Sequence, residues 1–328
     1  MIDSNISIEI NRVNDVTALD KKSYFLFCHS SYEERSLSII DFSFLENKID
    51  ISIQISSEEY LSNNFYIKNK ATLKTYVEKI STKKSMEVIA NRDEPVKFLK
   101  DIHEILFKEN KTFNGFLIDI STFPRDRLIC LIDYLIQIRS VDTSIEFIYT
   151  SPKSYSTEEK NGWLTKGVRK ISPIPRFNGN QKTRKESLLI MIIGHEGERS
   201  QIILKNIEPD KLIIIGQGDE QINKETKIIS NRENAPIFDE YNIIERVESS
   251  FSDPMDTKNK LEMLYMKYKE KYNIIVSANG TKLQVLGAMI VCIQHREIQI
   301  VHAYPQIYNI ENYSSSKAGS YFGSFKFN

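Results

Sequence analysis

Residues 116–149 read FLIDISTFPRDRLICLIDYLIQIRSVDTSIEFIY, and this stretch decides the fold. Residues 116–120 and 145–149 are apolar runs of strand length, whereas residues 128–138 carry apolar side chains over a length typical of a helix. A strand without a polar face is buried on both sides, as strands of a parallel sheet are. The stretch therefore predicts a β-α-β unit whose helix packs on a parallel sheet.

The same alternation extends in both directions along the chain. Strands alternating with helices are typical of α/β proteins with a sheet covered on both faces. The further predicted strands are 24–28, 49–55, 86–90, 188–193, 212–215, 274–276 and 298–302. The further predicted helices are 33–44, 71–80, 99–106, 198–207, 254–272 and 282–294.

Residues 151–186 break the alternation, because they contain several prolines and glycines and many Lys and Arg side chains. We interpret them as a basic connection between a first unit, residues 1–150, and a second unit, residues 187–312. The polar and aromatic tail, residues 313–328, is either an edge strand or a disordered end. A chain of 328 residues is long enough for two such domains.

Composition excludes several classes of protein. Hydrophobic residues make up 41% and charged residues 27%, which are globular proportions. Lys and Arg equal Asp and Glu at 44 each, so a broad cationic surface for duplex DNA is not expected. The local basic run in 151–186 suits either contact with nucleic acid or a solvated loop.

The cysteines indicate a reducing compartment. Cys28, Cys130 and Cys292 each lie in an apolar run and none belongs to a C-x-x-C pair, which excludes a disulfide scaffold and a zinc ribbon. The first residues show no signal-peptide pattern, and no apolar run approaches the roughly 20 residues that span a bilayer. We expect a cytoplasmic protein that does not interact with membranes.

Three short blocks recur in the same order in the two halves, each at the C-terminal end of a predicted strand. They predict two tandem Rossmann-like, doubly wound, mostly parallel sheet units related by internal duplication. The alternative is that loops of α/β proteins resemble one another by chance. The paired blocks are 32–36 (YEERS) with 196–200 (EGERS), 118–122 (IDIST) with 276–280 (VSANG), and 149–155 (YTSPKSY) with 302–308 (HAYPQIY).

The clearest chemistry lies in the block Asn279, Gly280, Thr281 and Lys282. Ligands of doubly wound sheets bind at the carboxyl ends of the strands, where helix N-termini favour anions. Gly280 allows close approach of the backbone, and Thr281 supplies a hydroxyl. The helix dipole disfavours a cation in the first turn, so Lys282 makes sense beside a bound anion. Alternatively, Gly280 ends a turn and Lys282 is solvated.

The counterpart in the first half contains Ser121, Thr122 and Arg125 after Asp119, and it lacks the glycine. Ser121 and Thr122 are candidates for ligand binding and equally for N-caps of the following helix. Arg125 again places a cation at a helix start. Asp119 ends a buried strand and is suited to orient an arginine such as Arg35.

Each half also carries a Glu-Arg pair after its first strand. Glu34 and Arg35 are followed in the second half by Glu198 and Arg199. Ser31 and Glu34 match the S-x-x-E capping box, but the second copy lacks this serine. The retained pair therefore indicates a functional or interdomain ion pair, with a surface helix pair as the alternative.

Candidates for acid-base chemistry are Glu34 and Glu198, with His29 and His195 in equivalent loops. We expect no metal site, because no local spacing such as H-x-x-x-H is present. We expect no cofactor either, since the lone Gly-x-Gly at 216–218 lacks the rest of the NAD fingerprint.

Asn279 to Lys282 and the small residues Gly287 and Ala288 resemble a signature of CARF domains, the Rossmann-like sensors of cyclic oligoadenylates in prokaryotic antiviral systems. In that family two glycines usually precede the threonine, and Asn279 replaces the first. The block from Asp119 to Arg125 resembles the Asp-Ile-Thr variant of the motif. CARF domains pair around their ligand, and the related SAVED domains join two such units in one chain.

The resemblance implies a sensor or accessory subunit of antiviral defence that binds a nucleotide or cyclic oligonucleotide. CARF sensors usually carry a fused effector, and two units with a connection leave no room for one, so we expect the effector to be a separate chain. The alternatives are an enzyme that cleaves a nucleotide and a non-catalytic adaptor in a multi-subunit complex. Loss of turnover in Glu34→Gln with retained binding would favour the enzyme.

Overall fold

The computed structural model describes residues 5–13, 19, 23–94, 96–108, 114–156, 163–218 and 220–327, with the backbone alone for 220–224. Its strands are β1 (Ile6–Arg12), β2 (Tyr24–His29), β3 (Ile49–Ser57), β4 (Ser81–Ala90), β5 (Gly115–Asp119), β6 (Ser144–Tyr155), β7 (Thr165–Asn178), β8 (Glu186–Ile192), β9 (Lys211–Gln217), β10 (Ile243–Ser249), β11 (Tyr272–Ala278), β12 (Gln299–Tyr308) and β13 (Ser314–Phe327). Its α-helices are α1 (Asn64–Ile80), α2 (Lys97–Lys108), α3 (Arg125–Ile138), α4 (Gly197–Ile207), α5 (Glu220–Glu233), α6 (Ala235–Glu240), α7 (Pro254–Tyr268) and α8 (Lys282–Gln294). Short 3-10 helices cover Glu34–Asp41, Ser43–Leu45 and Glu58–Tyr60.

The described residues form two compact units, each with its own sheet. The N-terminal unit comprises residues 8–156 and 310–327, and the C-terminal unit comprises residues 163–309 with 5–7. The first sheet has seven strands in the order β1-β13-β6-β5-β2-β3-β4, and the second has six in the order β10-β9-β8-β11-β12-β7. The predicted α/β class with two Rossmann-like units is confirmed.

Both units wind their parallel strands in the same way. Numbering the parallel strands of each unit along the chain gives the order 3-2-1-4-5 twice, once as β4-β3-β2-β5-β6 and once as β10-β9-β8-β11-β12. In such sheets the winding reverses between the first and fourth strands, and ligands bind outside the carboxyl ends there. The switch points therefore lie between β2 and β5 and between β8 and β11.

Burial explains why these apolar runs form the central strands. Every residue of β2 is buried, and so is every residue of β5, since both strands lie inside the sheet and have two covered faces. Helix α8 is buried at eleven of its thirteen positions, residues 283–293. A Cβ on Gly287 would lie 2.2 Å from the carbonyl oxygen of Pro254, so this glycine lets α8 approach α7 closely.

The segment 151–186 differs from the connection that its composition indicated. Strand β6 continues to Tyr155, and β7 occupies 165–178 and pairs antiparallel with β12. Strand β7, which contains Pro173 and Pro175, is the outermost strand of its sheet, and edge strands are where prolines are tolerated. A positive φ at Gly167 and Arg176 marks further irregularity. The composition typical of a loop therefore belongs here to an edge strand.

The tail also belongs to a sheet. Strand β13 pairs antiparallel with β6 and lies between β6 and β1. Of the two alternatives for residues 313–328, the described residues 314–327 adopt the strand, but this strand lies inside the sheet and not at its edge as expected. Each unit thus has one antiparallel strand next to its fifth parallel strand, namely β13 beside β6 and β7 beside β12.

The three cysteines lie in the described part of the chain and are buried. Burial raises the pKa of the Cys28 and Cys292 thiols above the usual range, so both stay protonated and act as apolar side chains. None of the described helices combines the length and the apolar character that a membrane span needs.

Candidate functional site

The residues singled out in the sequence follow the strands that flank the two switch points. In the C-terminal unit the loops after β8 and β11 touch each other. A Cβ on Gly194 would lie 2.3 Å from the carbonyl oxygen of Asn279. The backbone N–H of Asn279 donates to the Ile192 carbonyl at 2.9 Å. Asn279 is buried, and its amide donates to the Ser200 hydroxyl at 3.5 Å. Asn279 therefore holds two loops together.

Thr281 caps helix α8. Its hydroxyl accepts a hydrogen bond from the Gln284 N–H at 3.3 Å and donates to the Phe251 carbonyl at 2.7 Å, and the Gln284 side chain accepts from the Thr281 N–H at 3.0 Å. This arrangement is a capping box. A Cβ on Gly280 would lie 2.2 Å from the Gln284 side-chain oxygen, so the glycine makes room for the cap.

Lys282 is the first residue of α8 and is half-buried. Behind it, the buried Gln284 links the ends of two strands, since it accepts from the Gln217 amide at 2.9 Å and donates to the Ser249 hydroxyl at 2.9 Å. Lys282 is thus the charged group of the predicted block, whereas the other members shape the loop.

In the N-terminal unit the hydroxyls of the matching block bind backbone groups. The Asp119 carboxylate accepts from the Ser121 N–H at 3.0 Å and from its hydroxyl at 2.5 Å. The Ser121 oxygen in turn accepts from the Thr150 N–H at 2.9 Å, and the Thr122 hydroxyl donates to the His29 carbonyl at 3.0 Å. These contacts join the carboxyl ends of β5, β6 and β2.

Neither hydroxyl caps helix α3, because its N-cap residue is Pro124, without a side-chain cap. Arg125 is the first residue of α3 and is half-buried, like Lys282 at the start of α8. Both switch points therefore place a cation at the first position of the helix that follows the fourth strand.

Arg35 forms a buried ion pair, and its partner is Glu33. The guanidinium donates to both carboxylate oxygens, at 2.9 and 3.2 Å, and to the Thr150 carbonyl at 3.2 Å. The Ser314 hydroxyl donates to the same carboxylate at 2.6 Å. Burial alone would lower the pKa of Arg35, but the adjacent Glu33 charge outweighs burial and raises the pKa, so Arg35 stays charged.

The C-terminal unit repeats this arrangement. Arg199 donates to the Glu196 carboxylate at 2.7 Å and to the Ala303 carbonyl at 2.6 Å. The Thr165 hydroxyl donates to the Glu196 carboxylate at 2.6 Å. In each unit a buried arginine therefore binds the fifth parallel strand, and a hydroxyl at the start of the antiparallel strand binds the glutamate.

The predicted Glu-Arg pairs require a correction. Glu34 and Glu198 are exposed, because the 3-10 helix and α4 turn them outwards, and Glu198 accepts from the Gly167 N–H at 3.3 Å. His29 is buried and His195 is half-buried. Ser31 also forms no capping box with Glu34. Its hydroxyl accepts from the N–H of Glu33. Glu33 is the N-cap residue of the 3-10 helix, and its side chain makes no capping hydrogen bond.

One cluster was missed by the sequence analysis. Arg127, only 3% exposed, donates to the Ser57 hydroxyl at 2.5 Å, lies 3.3 Å from the His29 ring nitrogen and contacts Glu59 at 3.5 Å. It joins the first turn of α3 to the carboxyl ends of β2 and β3. The available signal was an arginine inside a helix whose other positions are largely apolar.

No model of a known protein family matches the chain, and no curated protein matches its sequence. Its fold is similar to a solved structure described as a Type III CRISPR defence DNA nuclease activated by cyclic oligoadenylate. The TM-score is 0.50 at 6% sequence identity, and the similarity covers 90% of this chain and 67% of the other. At this identity the similarity concerns the fold.

Proposed function

We propose that this protein is a nucleotide-binding sensor or accessory subunit of a prokaryotic antiviral defence system. It binds a nucleotide, such as a cyclic oligonucleotide, at the carboxyl edges of its sheets and passes the signal to a separate effector chain. The observation that carries the proposal is the half-buried cation at the start of the helix at each switch point, Arg125 on α3 and Lys282 on α8. The N-terminus of a helix attracts an anion, and a basic side chain in its first turn can contact the same anion.

The fold supports the proposal, because the similar structure belongs to a nuclease that cyclic oligoadenylate activates. In this proposal Arg125 and Lys282 bind phosphate groups. Ser121, Thr122, Asn279, Gly280 and Thr281 shape the loops that carry these cations. The buried Arg35 and Arg199 are positioning residues, since they tie the loop after the first strand to the fifth strand.

The test is native mass spectrometry of the full chain with a denatured extract beside it, followed by thermal shifts with mononucleotides and with linear and cyclic oligonucleotides. A ligand at a hundred times its Kd stabilises the folded state by about 2.7 kcal/mol. We expect such a shift for the wild type and its loss in Lys282→Ala. Lys211→Ala is the matched control, because Lys211 is half-buried at the opposite end of the same sheet.

The state of the ligand separates the alternatives. An intact ligand supports the sensor. A cleaved ligand, with cleavage lost in Glu34→Gln or Glu198→Gln, would identify an enzyme. If no ligand co-purifies, no nucleotide shifts the melting temperature and a protein partner is bound in stoichiometric amount, the protein is an adaptor and not a sensor.

A further inference from the structure

We propose that four tyrosines at the carboxyl edge of the N-terminal unit stack against the bases of an oligonucleotide and make this unit the one that reads bases. This inference rests on the proposed function and names the group of the ligand that this edge recognises. We call Tyr32, Tyr60, Tyr155 and Tyr313 the tyrosine band.

The band crosses the edge of the sheet as a chain of ring contacts. The ring centroids of Tyr60 and Tyr32 are 5.3 Å apart, those of Tyr32 and Tyr313 are 6.0 Å apart, and those of Tyr313 and Tyr155 are 6.1 Å apart. The buried ring of Tyr66 anchors one end, at 5.7 Å from Tyr60. All four members of the band are half-buried, so they are fixed on one side and accessible on the other.

Each tyrosine lies at or just beyond the end of an element that reaches this edge. Tyr32 follows β2, Tyr60 follows β3, Tyr155 ends β6 and Tyr313 precedes β13. In the sheet, β5 lies between β6 and β2, so Arg125 at the start of α3 follows a strand inside the span of the band. Rings and a cation at one edge match a ligand that carries both bases and phosphates.

The backbone holds the band in place. The Asn69 amide donates to the carbonyls of Ser31 and Tyr32 at 3.1 and 3.2 Å, and the Ser156 N–H donates to the Tyr313 carbonyl at 3.2 Å. The Arg35 guanidinium lies 6.0 Å from the centre of the Tyr155 ring. Rings fixed in this way lose little conformational freedom on binding, which favours stacking.

The C-terminal unit has different residues at two of these places. Thr165 begins β7 and pairs with Tyr308, just as Ser314 begins β13 and pairs with Tyr155. The residue before Thr165 is Leu164, which therefore occupies the place of Tyr313. Glu33 and Glu196 occupy equivalent places, since each binds the buried arginine of its unit. The residue before Glu196 is His195, which therefore occupies the place of Tyr32. The two edges are therefore chemically unequal, and the described aromatic band belongs to the N-terminal unit.

A tyrosine surface also suits a proline-rich peptide. We favour bases because such a peptide has no anion for Arg125, and because the band crosses the edge at which doubly wound sheets bind their ligands. The peptide is included in the test as the competing outcome.

The test measures the Kd of the full chain for tetra-adenylate, linear and cyclic, and for an abasic ribose phosphate oligomer of the same length. Stacking of one base on an aromatic ring contributes about 1–3 kcal/mol. We expect Tyr32→Ala and Tyr313→Ala to weaken tetra-adenylate binding about 5- to 150-fold, whereas Tyr32→Phe and Tyr313→Phe stay within about threefold. Tyr134→Ala is the control, since Tyr134 is half-buried on α3, where its hydroxyl pairs with His103.

Three outcomes would overturn the proposal. The first is unchanged tetra-adenylate binding in both alanine variants, which would leave the proposed function standing. The second is equal affinity of the wild type for the abasic oligomer. The third is binding of a decaproline peptide, lost in the alanine variants, by a wild type that binds no tetra-adenylate. If no nucleotide in the thermal-shift panel raises the melting temperature either, the proposed function fails together with this inference.

Photo-crosslinking covers the case in which an alanine variant does not fold. A tetranucleotide containing 5-iodouridine is irradiated with the wild-type chain, and the modified peptides are identified by mass spectrometry. Cross-links at Tyr32, Tyr60, Tyr155 or Tyr313 support the proposal, and cross-links confined to the C-terminal unit overturn it.

Discussion

Glu33 and Glu196 show how a charge is retained in the interior of this protein. Both carboxylates lose hydration on burial, which costs several kcal/mol for each ion. An arginine and a hydroxyl replace the lost water in each unit. A glutamate that keeps this geometry is tolerated, and one that loses its partner is not.

The sequence pointed to the neighbouring glutamates for an understandable reason. The dipeptide Glu-Arg occurs in both halves, as Glu34-Arg35 and Glu198-Arg199. The true partner lies two residues before the arginine in one unit and three residues before it in the other. The spacing changes because a 3-10 helix begins at Glu34, whereas the α-helix α4 begins at Gly197. An identical motif therefore concealed the ion pairs that the structure contains.

We predict that Glu196→Gln destabilises the C-terminal unit by about 3–5 kcal/mol, because it leaves the charge of Arg199 buried without its partner. Glu198→Gln is the matched control and changes stability by less than about 0.5 kcal/mol, as exposed substitutions do. Urea unfolding followed by the fluorescence of Trp163 measures this unit, because the chain has one tryptophan and it lies there. Equal midpoints for the two variants would contradict the assignment.

Among the elements, the buried parallel strands were predictable, whereas of the antiparallel strands β7 was missed and β13 was expected only as one of two alternatives. Strands β2, β5, β8 and β11 are apolar on both faces, and their sequences say so. Strand β7 contains prolines that normally argue against a strand, and only its outermost position makes them acceptable. Local pattern reports burial well, but it does not report which strand lies at an edge.

Strands β3 and β4 are tied by Asp50, and this tie predicts a pH dependence. The Asp50 carboxylate accepts hydrogen bonds from Ser23, Thr82 and Lys83. Burial alone would raise its pKa, but these hydrogen bonds and the Lys83 charge outweigh burial and lower it. A folded-state pKa below the unfolded value means that Asp50 contributes its full stability above about pH 4. The contribution is lost as the pH falls through the folded-state pKa.

We therefore expect the wild type to lose more stability than Asp50→Asn when the pH falls from 6 to 3. The measurement is the urea midpoint of the N-terminal unit by circular dichroism at several pH values. Lys83→Met removes the positive partner and should flatten the acid limb in the same direction. Parallel profiles for the wild type and Asp50→Asn would refute this role.

At the scale of the whole molecule, the two units share a strand order and a pair of buried ion pairs at matching places. The repeated blocks in the sequence anticipated this likeness, although the duplication itself stays a prediction. The local sequence pattern did not predict that β7 pairs with β12 or that β13 pairs with β6. Strand β13 pairs with β6, and each paired residue of β6 lies more than a hundred positions before its partner in β13. Pairing over such a separation depends on which edge is free, and no local spacing encodes that.

The position of β13 gives a prediction about the chain as a whole. Its register with β6 runs from Ser314 with Tyr155 to Phe325 with Ile145, and the Phe325 ring packs on Phe147. Removing residues 314–327 therefore uncovers the backbone of β6 and takes the Ser314 hydroxyl from the buried Glu33. We expect faster hydrogen exchange in 144–155 and 33–35, with unchanged exchange in β11 and β12 of the C-terminal unit. A chain that lacks only residues 326–327 keeps this register and serves as the control. Equal acceleration of exchange in β12 would contradict the division of the chain into these two units, because it would mean that β13 also supports the other sheet.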